Sequence, residues 1–498
     1  MQEKFKQYKE QGYTHVPVVK TIMADLDTPV SAYLKLANKA YTFLFESVQG
    51  GEKWGRYSII GLQAKKIIKV CDHKIHIETP EGIVDVLSVA DPFAFIEKFI
   101  NDFRVPKIFD LPRFCGGLVG YFGYESARFF EKKIAALGNK PDPLAIPDIL
   151  LMLVDEFIVF DNLKGVMTLV VHADLNDPLS DQNASDRLEV ITALLQNQPA
   201  NQHLALDFNP IKTTPLPAGA AGKIPFSSNF TEQEYCDIVE KIKGYILAGD
   251  VMQVLPSQRM SAPFSHSPLA LYRALRMINP SPYMYILNLD DFHIVGSSPE
   301  ILVRVDQGKI TLRPIAGTRR RGKTKEEDLA LEKELLNDPK EIAEHVMLID
   351  LGRNDVGRIA QSGTVKLTDK MVVERYSHVM HIVSNVEGDL QEGLSALDVL
   401  KATFPAGTLT GAPKIHAMEL LHQLEPIKRG VYGGAVGYLT WQGDLDTAIA
   451  IRTAVIKNNE IHVQAGAGIV ADSIPHLEWK ETLDKGQVLL SAAELLLV

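Results

Sequence analysis

Residues 435–464 read AVGYLTWQGDLDTAIAIRTAVIKNNEIHVQ, three strand-like runs separated by two short turns. The runs cover 435–441, 447–457 and 461–464, and the turns are Gln442-Gly443-Asp444 and Asn458-Asn459. A parallel crossover needs about a dozen residues or more, so connections this short require antiparallel neighbours. The stretch therefore predicts an antiparallel meander.

Hairpins and helices of ordinary length lie on both sides of this stretch. Runs at 150–160 and 166–172 flank one turn, and runs at 301–305 and 310–313 flank another. Apolar residues from Tyr235 to Ile246 keep helical spacing up to Gly249, and 325–351 and 477–497 are also helical in pattern. Antiparallel strands with helices packed around them predict the α+β class.

Composition indicates an ordinary globular protein of more than one core. The chain has 498 residues and a net charge of −10, which argues against nucleic acid or an anionic membrane as a partner. It shows no signal peptide and no apolar run of membrane-spanning length, which predicts a cytoplasmic location. A segment rich in proline and glycine at 201–229 predicts a linker between portions 1–200 and 230–498.

Four glycine-rich segments crowd the C-terminal portion, at 314–319, 407–414, 432–435 and 464–468. Glycine lets backbone N–H groups approach a small anion closely. Residues 317–324 even spell a phosphate-binding P-loop, but an NTPase needs a parallel sheet there and this context is antiparallel. Thr324 is explained more simply as a helix N-cap, with Glu327 completing a capping box.

Paired carboxylates stand at helical spacing in Glu341/Glu344 and in Glu478/Glu481. Residues i and i+3 share a helix face, so two such helices could hold a Mg²⁺ ion between oxygen ligands; a solvated helix face is the alternative. His378 and His381 lie three residues apart. They fit either a zinc pair or one acid/base histidine beside a structural one.

The strings at 313–319, 344–355, 407–414 and 464–473 resemble the chorismate-utilising enzymes, most closely the large subunits of anthranilate synthases. The resemblance implies a large antiparallel β-sandwich-like core surrounded by helices. It also implies a carbon–oxygen lyase that makes anthranilate and pyruvate from chorismate and ammonia through 2-amino-2-deoxyisochorismate, the first step of tryptophan biosynthesis. Chorismate carries two carboxylates and no phosphate. The glycine-rich segments are then expected to form the walls of a pocket for a small dicarboxylate and not a phosphate site.

The same resemblance implies roles for individual residues. The departing C4 hydroxyl needs a general acid, and Glu300 matches it; His381 matches the residue of the pyruvate-eliminating half, and Thr408 lines the same site. Glu344 and Glu481 match Mg²⁺ ligands, with Glu341 and Glu478 nearby or bridged by water. The positions that match chorismate contacts are Gly317, Thr318, Tyr432, Arg452, Gly466, Ala467, Gly468 and Lys485.

Two positions distinguish close relatives. Isochorismate-forming enzymes place a water-activating lysine where this chain has Gln253. Aminodeoxychorismate synthases, the folate-branch alternative, commonly place a nucleophilic lysine where this chain has Ala316, and a methyl group cannot act as a nucleophile. Both positions favour direct attack by ammonia.

Supply of ammonia and feedback control follow from the resemblance as well. None of Cys71, Cys115 and Cys236 lies in a glutaminase motif, so we expect a glutamine amidotransferase subunit as partner, in a heterotetramer of two large and two small subunits. The strings at 44–47, 51–58 and 279–284 resemble a tryptophan-inhibition element, and domain packing is the alternative. The tryptophan contacts expected within these strings are Ser47, Pro282, Tyr283 and Met284.

Overall fold

The structure is a computed structural model that describes residues 2–48, 56–107, 113–197, 224–375 and 379–496. Its helices, numbered in chain order, are α1 Gln2–Glu10, α2 Pro29–Leu36, α3 Pro92–Asn101, α4 Lys132–Ala135, α5 Ser180–Asn197, α6 Glu232–Ala248, α7 Pro268–Ile278, α8 Lys325–Asn337, α9 Pro339–Gly357, α10 Ala396–Thr403, α11 Gly407–Thr410, α12 Lys414–Leu424 and α13 Pro475–Glu494. A 3₁₀ helix covers Tyr124–Phe129.

Eleven described strands form a first antiparallel sheet, sheet I. In spatial order they are β1 His15–Met23, β10 Val166–Asp174, β9 Glu156–Asp161, β3 Tyr57–Gly61, β2 Thr42–Glu46, β14 Tyr283–Asn288, β15 Phe292–Ser298, β26 Thr453–Lys457, β27 Glu460–Gly466, β13 Ser257–Pro263 and β11 Ser227–Ser228.

A second sheet, sheet II, also has eleven described strands. They are β19 Lys366–Leu367, β22 Val386–Asp389, β17 Lys309–Leu312, β16 Ile301–Asp306, β25 Leu445–Ile449, β24 Ala435–Thr440, β7 Gly117–Phe122, β8 Ile149–Val154, β4 Lys66–Cys71, β5 Lys74–Thr79 and β6 Gly82–Ser88. Two small sheets remain, β12 Gln253–Val254 with β23 Gly411–Ala412, and β18 Ile315–Arg320 with β21 Val379–Val383 and β20 Val372–Arg375.

The two large sheets are packed face to face with helices outside. Successive residues of β9 alternate between two cores: Phe157 and Val159 join the core between the sheets, and Ile158 and Phe160 join the core under the helices. Side chains of a strand alternate faces, so a strand covered on both sides must be apolar at every position. This explains the unbroken apolar runs and confirms the predicted α+β class with its sandwich-like core.

Both sequence portions contribute to both sheets. In sheet I, β2 pairs with β14, and in sheet II, β7 pairs with β24. Most of the predicted linker at 201–229 lies outside the described residues, while Ser227 and Ser228 pair at the edge of sheet I.

The predicted meander at 435–464 divides between the two sheets. Its first two strands, β24 and β25, belong to sheet II, and its last two, β26 and β27, belong to sheet I. The chain crosses at Ala450–Arg452, where Arg452 adopts a φ of 47°. The run at 150–160 divides in the same way at Asp155, between β8 and β9. The two turns of the meander and both other hairpins are confirmed.

The predicted helices are confirmed, with one division. The run at 325–351 becomes α8 and α9 because Asp338 caps the second helix and Pro339 begins it. Thr324 caps α8 by accepting a hydrogen bond from the Glu327 N–H, but the Glu327 carboxylate accepts from Lys323 instead of closing the capping box. The P-loop lookalike is thus an antiparallel strand followed by an N-cap. Among the described helices, none combines the length and the apolar character that crossing a membrane requires.

Candidate active site

One cavity of about 990 Å³ collects most of the residues singled out from the sequence. Its walls come from the ends of β15 and β27, the crossing at Ala450–Arg452, strand β18, and helices α9, α11 and α13. The predicted site residues that line it are Glu300, Gly317, Thr318, Thr408, Tyr432, Arg452, Gly466, Gly468 and Lys485, together with Glu341, Glu344, Glu478 and Glu481.

Glu300 is fixed two residues beyond the end of β15. Its backbone carbonyl accepts a hydrogen bond from the Ile449 N–H at 3.0 Å, which ties it to the sheet crossing. Thr408 Oγ1 donates to Glu300 Oε1 at 3.2 Å. Burial raises the pKa of Glu300 to about 8, against the opposing influence of Thr408, Arg452 and Lys485. At neutral pH this carboxyl group carries its proton and can act as an acid.

Arg452 lies at the end of the crossing between the sheets and lines the same cavity as Glu300. Its backbone carbonyl accepts from Ser297 N–H at 3.0 Å, so both groups are anchored to the same strand end. Within the described residues its guanidinium group makes no hydrogen bond or ion pair, and burial lowers its pKa. A largely desolvated guanidinium that faces a cavity is a strong receptor for a carboxylate.

Two glycines let backbone form the wall. Gly317 sits at a bulge between β18 and β21 with a φ of +69°, a region that favours glycine. A Cβ on Gly466 would stand 2.6 Å from the Pro256 carbonyl oxygen and 3.1 Å from Tyr432 Oη. The tyrosine hydroxyl can therefore approach the backbone only because position 466 carries no side chain.

The four glutamates form an acidic wall contributed by α9 and α13. Arg319 pairs with Glu341 at 3.1 Å, and Lys485 pairs with Glu481 at 2.7 Å. Burial raises the pKa of Glu344, and Glu341 and Glu481 raise it further. Burial likewise raises the pKa of Glu478. Among the described residues, no group of three acidic, histidine or cysteine side chains converges closely enough to hold a metal ion.

This wall has the donor chemistry that a hard divalent cation requires. Its ligands would all be carboxylate oxygens, which Mg²⁺ prefers over the nitrogen and sulfur donors of zinc sites. The raised pKa of Glu344 has neighbouring carboxylates among its causes, so negative charge in the wall is only partly compensated by Arg319 and Lys485. The donor chemistry of the wall therefore suits a magnesium ion, although among the described residues no three of its side chains converge on one point.

Two predicted residues lie outside the set that lines the described cavity. His381, on β21, lies behind the Gly317–Thr318 segment, with Nδ1 3.0 Å from the Gly317 carbonyl oxygen and 3.1 Å from Thr318 Oγ1. Burial lowers its pKa, which favours the neutral form of the ring. Ala467 is fully buried and packs in the core beside α6. His378 lies outside the described residues.

The two positions that distinguish related enzymes both line the cavity. Gln253 is 7% exposed and approaches so closely that a Cβ on Gly468 would stand 2.4 Å from its Nε2. Ala316 lies in β18, one residue before the bulge. An amide and a methyl group thus occupy the two positions where lysine was expected for the related activities.

A second cavity, of about 660 Å³, contains the four residues expected to contact tryptophan: Ser47, Pro282, Tyr283 and Met284. The strings at 44–47 and 279–284 meet there, because Met284 pairs with Glu46 between β14 and β2 and Val48 N–H donates to the Ser281 carbonyl at 3.3 Å. Part of the string at 51–58 lies outside the described residues. The far wall comes from sheet II, so this cavity lies between the sheets.

A buried ion pair behind the first cavity was not predicted. Arg429 and Glu425 pair at 2.6 Å with side chains 1% and 5% exposed. The sequence signal for this pair is the spacing of four residues between Glu425 and Arg429, shortly before Tyr432. This signal is weak because most such pairs lie on solvated helix surfaces.

Comparison with known proteins agrees with this geometry. The sequence profile of the chorismate binding enzymes matches residues 43–491. Anthranilate synthase component 1 from Pseudomonas aeruginosa is 56% identical over 494 residues, which cover 99% of this chain and 98% of that protein.

Solved structures give the same result. The crystal structure of anthranilate synthase component I from Streptococcus pneumoniae is 36% identical and superposes with a TM-score of 0.76, covering 94% of this chain and 99% of that one. The menaquinone-specific isochorismate synthase from Escherichia coli, 19% identical with a TM-score of 0.68, covers 99% of this chain and 98% of its own and shares the fold. The chain belongs to the chorismate binding enzymes and, within them, to the group of anthranilate synthase component 1.

Proposed function

We propose that this chain converts chorismate and ammonia to anthranilate and pyruvate through 2-amino-2-deoxyisochorismate. The observation that carries the proposal is a protonated carboxyl group facing an unpaired guanidinium group in one cavity. Glu300 has a pKa of about 8, and Arg452 has no polar partner among the described residues. An acid for a hydroxyl leaving group and a receptor for a carboxylate are the two groups that this substrate needs.

The first half of the reaction is an amination. Arg452 binds a substrate carboxylate, and Lys485, whose Nζ lies 3.0 Å from the Gly466 carbonyl, adds positive charge to the same wall. Ammonia forms a bond to ring C2 as the bond from C4 to its hydroxyl breaks, and Glu300 donates its proton so that water departs. Thr408 Oγ1 stabilises the resulting Glu300 carboxylate through the hydrogen bond that it already donates.

The second half eliminates pyruvate. The Gly317 carbonyl can only accept a hydrogen bond, so His381 Nδ1 carries the proton and Nε2 bears the lone pair. The burial that lowers the pKa of His381 keeps the ring neutral. A neutral imidazole of fixed tautomer suits removal of the ring proton at C2 as the bond from C3 to the enolpyruvyl oxygen breaks. The departing enolate takes up a proton and becomes pyruvate, and the ring becomes aromatic.

Magnesium belongs to this proposal as the resident cofactor. Glu344 and Glu481 would hold it, with Glu341 and Glu478 nearby or bridged by water. When bound, the ion supplies charge neutralisation at a substrate carboxylate and fixes the position of the ring.

The related activities are disfavoured by the side chains present. Aminodeoxychorismate synthesis with a lysine nucleophile has only the methyl group of Ala316 at its position, and isochorismate formation has only the amide of Gln253. Neither group can attack the ring or take a proton from water. Ammonia itself is left as the nucleophile.

The test is a fluorescence assay of the purified chain. Chorismate, Mg²⁺ and ammonium chloride at alkaline pH should give blue anthranilate fluorescence, and glutamine in place of ammonium should give none. A non-fluorescent amino product would assign the chain to the folate branch. Consumption of ATP without anthranilate would instead support the P-loop alternative.

Two further proposals concern partner and control. Because free ammonia is scarce at neutral pH, we propose that a glutamine amidotransferase subunit supplies it, in an assembly of two large and two small subunits. We also propose that tryptophan binds the second cavity and inhibits the enzyme. That cavity offers aromatic and aliphatic walls beside both acidic and basic side chains, as a zwitterionic aromatic amino acid requires.

A further inference from the structure

Arg429 is a buried arginine whose guanidinium group has every nitrogen engaged. Nε donates to Glu425 Oε2 at 2.8 Å, and Nη2 donates to Glu425 Oε1 at 2.6 Å and to the Leu255 carbonyl at 2.7 Å. Nη1 donates to the Leu409 carbonyl at 2.7 Å. The side chain is 1% exposed, and its guanidinium lies over the rings of Tyr124 and Tyr432, 4.5 Å and 5.7 Å from their centroids.

These contacts reach separate segments of the active-site wall. Leu409 follows Thr408 in the one-turn helix α11, whose Thr410 carbonyl in turn accepts from the Leu255 N–H at 2.9 Å. Leu255 and Leu409 line the cavity, as does Tyr432. One guanidinium group therefore links the segment that carries Thr408 to the segment that carries Gln253.

Glu425 extends the same network to the glycine-rich wall. Its Oε1 accepts from both the N–H and the hydroxyl of Ser257 at 2.8 Å. Ser257 Oγ accepts from Gln464 Nε2 at 2.8 Å, and Gln464 is two residues before Gly466. The pair thus joins wall segments that are distant in sequence, and none of its atoms lines the cavity itself.

We infer that Arg429 is a positioning residue that holds α11 so that Thr408 hydrogen-bonds to Glu300. The inference rests on the proposed role of Glu300 as the acid. Only arginine can serve here, because a planar fork directs donors to Glu425, Leu255 and Leu409 at once, whereas a lysine ammonium has one nitrogen. A buried pair of this kind is by itself weak evidence for stability.

The experiment compares Arg429→Lys, Thr408→Val and the double variant in the ammonia-dependent reaction. Rates are expressed per concentration of unprotonated ammonia, so that the alkaline decline of activity reports Glu300. Loss of the Thr408 hydrogen bond removes a contact that favours the ionised form, so each single variant should move that decline upward by about one pH unit. We expect kcat to fall roughly tenfold or more with a smaller change in KM.

The double variant separates positioning from general damage. If Arg429 acts through Thr408, the double variant shifts the decline no further than Thr408→Val alone. Arg128→Lys is the matched control, since Arg128 is 14% exposed and pairs with Asp148 at 2.7 Å, outside the cavity wall. It should leave the decline where it is, and circular dichroism should show all variants folded.

Two results would overturn the inference. The first is a folded Arg429→Lys variant whose activity declines at the same alkaline pH as that of the unaltered chain, while Thr408→Val shifts this decline. The second is a double variant in which the two shifts add. Failure of the proposed function looks different, because the unaltered chain would then make no anthranilate, or Glu300→Gln would leave its pH profile unchanged.

Discussion

The proton on Glu300, which the proposed function uses, comes with a cost to stability. Its pKa in the folded chain is about 8, while an unfolded glutamate titrates at about 4.3. Between these values the native chain retains a proton that the unfolded chain has lost, so stability falls as pH rises through this window. The difference in unfolding free energy between this chain and a variant with a neutral side chain at position 300 is therefore largest above pH 8.

The variant Glu300→Gln should reveal both effects. At neutral pH it should raise the free energy of unfolding by on the order of 3 kcal/mol, because the amide never ionises, and the gain should vanish at about pH 4. Its anthranilate-forming rate should drop by about 10²–10⁴-fold, since the amide cannot donate the proton. Urea unfolding at several pH values measures the first effect. Equal stability of the two proteins at neutral pH would contradict the raised pKa.

Residue identities were readable from local strings, but their chemical states were not. The resemblance supplied Glu300, Arg452 and the acidic wall. The proton on Glu300 depends on burial, and Thr408 and Arg452, both more than a hundred residues away in sequence, partly oppose the rise in its pKa. Arg429 stayed unpredicted for a similar reason, because its partner Leu255 lies far from it in sequence.

At the scale of elements, helix α6 contains an internal comparison of two glycines. Gly249 ends the helix with a φ of +84°, and Gly244 lies inside it with ordinary helical backbone; an added Cβ meets no atom within 4 Å at either position. Only the backbone requirement differs between them.

Alanine at these two positions should therefore act in opposite directions. Gly249→Ala should destabilise the chain by about 1 kcal/mol through left-handed strain, and Gly244→Ala should stabilise it by about 0.5–1 kcal/mol. Thermal unfolding of the two variants checks the signs. Stabilisation by Gly249→Ala would show that the helix does not end as described.

Helices α9 and α13 act as paired scaffolds if their glutamates hold magnesium. Glu344→Gln and Glu481→Gln should each weaken Mg²⁺ binding by about tenfold or more, because each removes one charged oxygen ligand. Titration calorimetry of the protein with MgCl₂ in the presence of chorismate measures this without relying on turnover. The matched control is Asp350→Asn, since Asp350 is also on α9 but is 64% exposed and pairs with Arg353. Unchanged Mg²⁺ affinity in both glutamate variants would remove the acidic wall as the metal site.

Strand positions followed from the sequence, whereas sheet membership did not. The hairpins with turns at 161–165 and 306–309 are local, so turn residues and apolar runs fix them. The run at 447–457 contains two strands of different sheets, because the apolar pattern continues through the crossing at Ala450–Arg452. Both strands are covered on both faces, and a run that is buried on both faces gives no signal of which sheet it joins.

At the scale of the whole molecule, the two cavities share one set of structural elements. The string at 279–284 borders the second cavity, and Ser281 Oγ lies 2.8 Å from Ser297 Oγ on β15. The Ser297 N–H donates to the Arg452 carbonyl, and Glu300 follows three residues later. A ligand that altered the spacing of the sheets at the second cavity would thus act on the strand end that carries both Arg452 and Glu300.

Tryptophan and chorismate should therefore bind with reciprocal antagonism. Any factor by which tryptophan weakens chorismate binding must equal the factor by which chorismate weakens tryptophan binding. Ser47→Arg should abolish tryptophan inhibition, since a bulky cation would fill the cavity beside Pro282–Met284, and it should leave uninhibited turnover nearly unchanged. Ser88→Arg, at the exposed end of β6, is the matched control and should remain fully inhibited. Calorimetric titration of tryptophan with and without chorismate tests the reciprocity; inhibition that survives Ser47→Arg would place the regulatory site elsewhere.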